Sequence, residues 1–201
     1  MLLVFGSVLT VRSQVSISGP ACVLPGLGYQ YLITTTDTAG SGIHVCLTGG
    51  TFTSSGNACL DDSLVSAIYV TWNSGITSAV VSYTSPAGTA TQNVSITTAL
   101  QAGSIDTASQ QQTIADSTSP AVITCPAATG GSCAPSYTYQ WQQSVDNLSW
   151  NNITGATGQN MDVNITVTQN SFFRRAVTET NSGSIAYSGS AAVYINPPAQ
   201  Q

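Results

Sequence analysis

Charge is scarce in this chain of 201 residues: 5% of positions are charged, lysine is absent, and three arginines stand against eight acids, giving a net charge of -5. A nucleic-acid surface needs clustered cations to neutralise phosphates, and a polybasic membrane patch needs them to meet anionic lipid; both classes are excluded. Histidine occurs once, at His44, and glutamate once, at Glu179. A hydrolytic triad needs a base beside its nucleophile, yet His44 lies inside an alternating strand pattern and no Gly-x-Ser-x-Gly elbow occurs. A glycosidase needs two carboxylates across a cleft, whereas the aspartates fall mostly in turns. Phosphate-cradling loops and zinc-ligand spacings are also missing. The expectation is a non-enzyme without cofactor or metal.

Hydrophobic residues make up 42% of the chain, enough for a core. In place of charge stand Ser and Thr, about a quarter of the positions, with many Asn, Gln and Gly. That mixture favours strands and turns over helices.

Period-two alternation recurs in short segments: Tyr29, Tyr31 and Ile33; Ile43, Val45 and Leu47; Ile68, Val70 and Trp72; Ala79, Val81 and Tyr83. After Gly103 it starts again, with an edge-like segment over 110–114 and strands over 122–125, 137–142, 161–167, 172–177 and 186–195. Roughly seven short strands per half predict two successive β-sandwiches. The expected boundaries are 14–98 and 104–196, with linkers over 99–103 and 197–201.

Met1 to Val11 form an apolar run too short for a bilayer, which needs roughly 20 residues. It matches the apolar part of a secretory signal, with cleavage expected after Ser13. The basic stretch that normally precedes such a run is missing, as in a start assigned too far downstream; a buried first strand is the alternative. Export makes the five cysteines candidates for disulfides. Cys46 and Cys59 bracket one Gly/Ser/Thr-rich loop, and Cys125 and Cys133 bracket another. The pairing favoured is therefore 46–59 with 125–133, leaving Cys22 as a small buried hydrophobe or free thiol; a Cys22–Cys46 bridge stays open.

Three elements of the second half occur in a telling order: Tyr139-Gln140-Trp141-Gln142 leading to Ser144-Val145-Asp146-Asn147, then Trp150-Asn151-Asn152-Ile153-Thr154-Gly155-Ala156-Thr157, then Phe172-Phe173-Arg174-Arg175-Ala176-Val177. Together they resemble the immunoglobulin-like repeat of large secreted and surface proteins of Bacteroidota. The first half, through Gly26-x-x-Tyr29-x-Tyr31, Cys46 to Thr51 and Ile68 to Trp72, looks like the PKD-like module that often precedes such repeats. The family usually has a tryptophan where this chain has Val45-Cys46. The resemblance implies an all-β chain of two tandem Ig-like β-sandwiches, exported, and monomeric within a longer protein. Its implied role is a cell-surface stalk or adhesion region that meets a protein or a glycan and lacks a transmembrane helix. A carbohydrate-binding module and the N-terminal accessory of an RHS-type protein are the alternatives.

Trp141 and Tyr139 read as core of their sheet. Trp150 and Trp72 are the candidate ligand-facing aromatics. Arg174 and Arg175 must point to opposite faces of one strand, so one is free in solvent while the other lies on an aromatic or pairs with an acid. Asp61 and Asp62 read as solvated loop acids, with a calcium site as the lesser reading. Asn93, Asn147, Asn152 and Asn164 head Asn-x-Ser/Thr sequons that a sequence rich in these residues produces by chance.

Overall fold

The structure is a computed structural model that describes residues 15–196 apart from 39 and 41. Segments 1–13 and 197–201, expected as a signal and a linker, lie outside the described residues. The chain divides into two compact units between Ile96 and Thr97. Among the described residues no helix is long and apolar enough to cross a membrane.

The first unit packs two sheets. One has the order β1 (Ser16–Ser18), β3 (Gly28–Thr34), β7 (Ala67–Trp72), β5 (Gly50–Phe52). The other runs β2 (Cys22–Val23), β9 (Gly88–Ile96), β8 (Ser78–Ser85), β4 (His44–Thr48), β6 (Cys59–Asp61). This is an Ig-like sandwich, with β2 parallel to β9 and the other pairs antiparallel. The alternating positions deliver their apolar members to the core: Tyr31, Ile33, Ile68, Val70 and Trp72 from one sheet, Val45, Leu47, Val81 and Tyr83 from the other.

Gly49 carries the chain from β4 in one sheet to β5 in the other. Its φ is +84°, and an added Cβ would sit 2.5 Å from the Ile76 side chain, so only glycine fits the switch. Trp72 is 1% exposed, not ligand-facing as its composition alone allowed. Its indole meets the Tyr31 ring edge-on at 5.8 Å and donates from Nε1 to the Tyr31 hydroxyl at 3.2 Å. That hydroxyl in turn donates to the Pro20 carbonyl, so burial leaves neither polar tip unsatisfied.

In the second unit one sheet is complete: β10 (Gln111–Ala115), β15 (Ala191–Asn196), β13 (Ser171–Glu179), β11 (Tyr137–Ser144), β12 (Asn151–Asn152), with β14 (Ile185–Tyr187) also on β13. Parallel pairing of β10 with β15 repeats that of β2 with β9, again an Ig-like arrangement. The facing wall, expected as strands over 122–125 and 161–167, contains only the bridges Thr118–Val167 and Ile123–Met161. Side chains replace the absent ladder. Asn160 Oδ1 accepts from the Cys125 amide, Gln159 Nε2 donates to the Cys125 carbonyl, and Ser109 Oγ accepts from the Thr124 amide. The core holds Trp141, Phe173, Ile123, Met161 and Val193.

The single strand expected over 186–195 is split into β14 and β15. Ser188 lies at the break and bonds twice with Arg175: its amide donates to the Arg175 carbonyl and its Oγ accepts from the Arg175 amide. Segment 99–103, expected as a linker, packs within the second unit, where Gln101 pairs with Thr129 and Ala102 is buried.

Cys46 and Cys59 stand opposite each other in the β4–β6 register and form a disulfide. Cross-linking such a loop restricts the unfolded chain by about 3 kcal/mol. The 125–133 bridge does not form. Cys125 points into the core as a free thiol, whereas Cys133 is exposed, so the two diverge. Cys22, expected to be left over, is disulfide-bonded, as is Cys133.

Candidate interaction surface

Along β13 the residues alternate between buried and half-buried, so the consecutive arginines part company. Arg175 is fully buried. Its guanidinium donates to four backbone carbonyls, those of Ala102, Cys125, Pro126 and Gln159, and lies over the Tyr139 ring at 4.5 Å. No carboxylate of the described residues pairs with it, and burial pulls its pKa down from the usual arginine value. The carbonyl dipoles and the ring carry the compensation that an acid would otherwise supply. Tyr139, read as core, is half-buried beneath this cation, and its hydroxyl accepts from the Ala128 amide.

Arg174 emerges on the other face. Register sets its neighbours: Gln142 stands opposite on β11, Asn152 opposite Gln142 on β12, and Tyr187 opposite Ala176 on β14, all on the outward side. The Arg174 guanidinium is flanked by two rings, Trp150 at 4.3 Å and Tyr187 at 4.1 Å. Arg174 Nε donates to Gln142 Oε1 at 2.9 Å, and Gln142 Nε2 donates to Asn152 Oδ1 at 2.9 Å. Tyr187 is 51% exposed and Trp150 half-buried. The patch thus joins two aromatics, one cation and two amides on one sheet face.

Asp146 fixes the turn that delivers Trp150. Its Oδ1 accepts from the amides of Ser149 and Leu148 and from Ser144 Oγ, which holds the carboxyl well below the usual carboxylate range. Asn147 takes φ +58° at the tip, and Val145 and Leu148 are exposed beside it.

Other acids are committed in the same way. Buried Glu179 accepts from Ser182, Ser136 and Asn181 amides, and these bonds, Ser182 first, push its pKa down to about 2. Hydrogen bonds from Ser85, Thr35, Tyr83 and the Ala87 amide likewise lower Asp37. Asp61 Oδ1 lies 2.7 Å from His44 Nδ1, and Asp62 Oδ1 accepts from the Gly42 amide at 2.7 Å. Among the described residues no three His, Cys, Asp or Glu side chains converge as a metal would require.

The structure therefore separates the two candidate ligand-facing tryptophans, Trp72 in the first core and Trp150 on the second unit's surface. Tyr187 was not singled out by its own context; only the β13–β14 register, which is not visible in a one-dimensional pattern, puts it beside Arg174. Trp141 is fully buried, its indole donating to the Gly158 carbonyl at 3.1 Å.

A family model described as a domain of unknown function (DUF8696) matches residues 101–197. No curated protein matches the chain. Among solved structures, the N-terminal eight Ig domains of Down Syndrome Cell Adhesion Molecule (DSCAM) isoform 1.30.30 are similar at 15% identity and a TM-score of 0.40. That alignment covers 89% of this chain and 27% of the other, and a likeness of this size carries no functional argument.

Proposed function

We propose that this chain is a non-catalytic, exported pair of Ig-like modules that serves as a surface adhesion or interaction region of a larger protein. The observation that carries the reading is the outward patch of Trp150, Arg174 and Tyr187. Asp37, Asp146 and Glu179 are held by hydrogen bonds within the fold, while the aromatic side chains of this patch reach solvent. Disulfide-bonded cysteines favour an oxidising compartment, outside the cell or at its surface. The motif resemblance to surface proteins of Bacteroidota agrees with that placement. A glycan-binding role is the second reading, favoured by an exposed Tyr187 and a half-buried Trp150 together on one sheet face.

The test is adhesion of beads coated with the chain to cell and polysaccharide surfaces. Retention above uncoated beads that falls in the Trp150→Ala/Tyr187→Ala double variant supports the reading. Equal retention of the double variant overturns the role of this face.

A further inference from the structure

Resting on that reading of the outward face, we propose that it recognises a carbohydrate bearing a carboxylate, of the uronic-acid class. Three observations converge.

First, Arg174 has an unmatched charge. It is one of two arginines among the described residues, and the other is consumed in the core. No described carboxylate pairs with it, and its neighbours on the face, Gln140, Gln142, Asn152, Ala176 and Thr178, are uncharged. Among the described residues only Nε is bonded, to Gln142. The two Nη groups keep the fork that matches a carboxylate with paired N–H bonds.

Second, the cation is fixed before any ligand arrives. Trp150 and Tyr187 flank the guanidinium, Gln142 holds Nε, and Asn152 holds Gln142. Little side-chain entropy is then lost on binding.

Third, the surroundings suit a sugar better than a peptide strand. β13 is bonded to neighbours on both sides, so the strand that carries Arg174 offers no edge of its own for strand addition. The face instead offers aromatic rings for the C–H faces of a pyranose, and the amides of Gln142 and Asn152 for its hydroxyls. The carboxylate would meet Arg174 while the ring packs on Tyr187 or Trp150.

The experiment is isothermal titration calorimetry of the full chain with oligogalacturonate, alginate oligosaccharides and hyaluronan oligosaccharides, each beside its carboxyl-reduced or methyl-esterified counterpart. At least one acidic oligosaccharide should bind, its neutral counterpart roughly tenfold or more weakly, with affinity falling as salt rises. Arg174→Gln should remove the preference, and Arg174→Lys, which keeps the charge but not the planar fork, should not restore it. Equal binding of acid and ester, no binding by any of the acids, or an acid preference that survives in Arg174→Gln each overturns the inference. The ester comparison uses the unaltered protein and so does not depend on any variant folding. If the sugars fail while coated beads still adhere through the Trp150 and Tyr187 face, the carboxylate assignment falls and the adhesion reading stands.

Discussion

The two units solve one packing problem in different ways. In the first, two complete sheets face each other, and the ladders satisfy the backbone while Trp72 and Tyr31 fill the space between. In the second, one wall is a full sheet and the other is reduced to isolated bridges, so polar side chains must reach carbonyls that a ladder would have satisfied. Arg175 does most of this, since its planar fork bonds four carbonyls from three separate stretches of chain. A sandwich can thus dispense with a regular sheet on one side if a buried donor replaces it, at the cost of making that wall depend on a single residue.

The largest break in this comparison is Arg175→Met. Four carbonyls would lose the guanidinium, the Cys125 carbonyl keeping its bond from Gln159 Nε2; each one left unsatisfied inside costs about 1–3 kcal/mol, a total of about 3 kcal/mol or more against domain stabilities of about 5–15. Hydrogen exchange should lose protection across 137–144 and 171–179 while the Tyr31 and Val70 amides of the first unit keep theirs. Retained protection in the second unit would refute the role given to Arg175.

Trp72→Ala comes next, because it leaves a cavity in the other core. Denaturant unfolding should show a loss of about 3–5 kcal/mol, with the protection pattern inverted.

Acid titration tests a smaller difference. Glu179 binds its turn amides as a carboxylate, and its folded pKa of about 2 lies below the ordinary 4.5. Its contribution is complete above the unfolded value and is lost as pH falls from about 4.5 towards 2. Glu179→Gln should flatten stability against pH in that window, measured by denaturant midpoints.

Smallest is Arg174→Gln, one residue from the most damaging site. A half-buried surface cation between rings contributes about 0.5–1 kcal/mol, so the melting transition should barely move. A loss as large as that of Arg175→Met would mean that the outward arginine is structural too.

Much of the strand pattern was legible in the chain. The trios ending at Ile33, Leu47, Trp72 and Tyr83 bury their apolar members, Tyr29 in part, because alternation reports directly which side of a pleat faces the core. Trp141 followed from the same rule. Where a segment pairs weakly the rule lost force: 122–125 and 161–167 have strand-like composition but no continuous partner, and propensity does not measure partnership. The cysteines failed for a related reason, since loop spacing says nothing about side-chain direction, and Cys125 turns inward while Cys133 turns out.

The interaction patch divides along this line as well. Local periodicity alone assigns Arg174 and Arg175 to opposite faces, because successive strand residues must alternate. Which face is buried, and that Tyr187 from one neighbouring strand and Trp150 from a turn on the other side close over Arg174, depends on register and chain reversal. Low charge and strand-rich composition are properties of the residues themselves, fixed before folding. The meeting of a cation with two rings across three segments belongs to the tertiary structure, because contacts between residues distant in sequence exist only once the ladders have set which of them stand side by side.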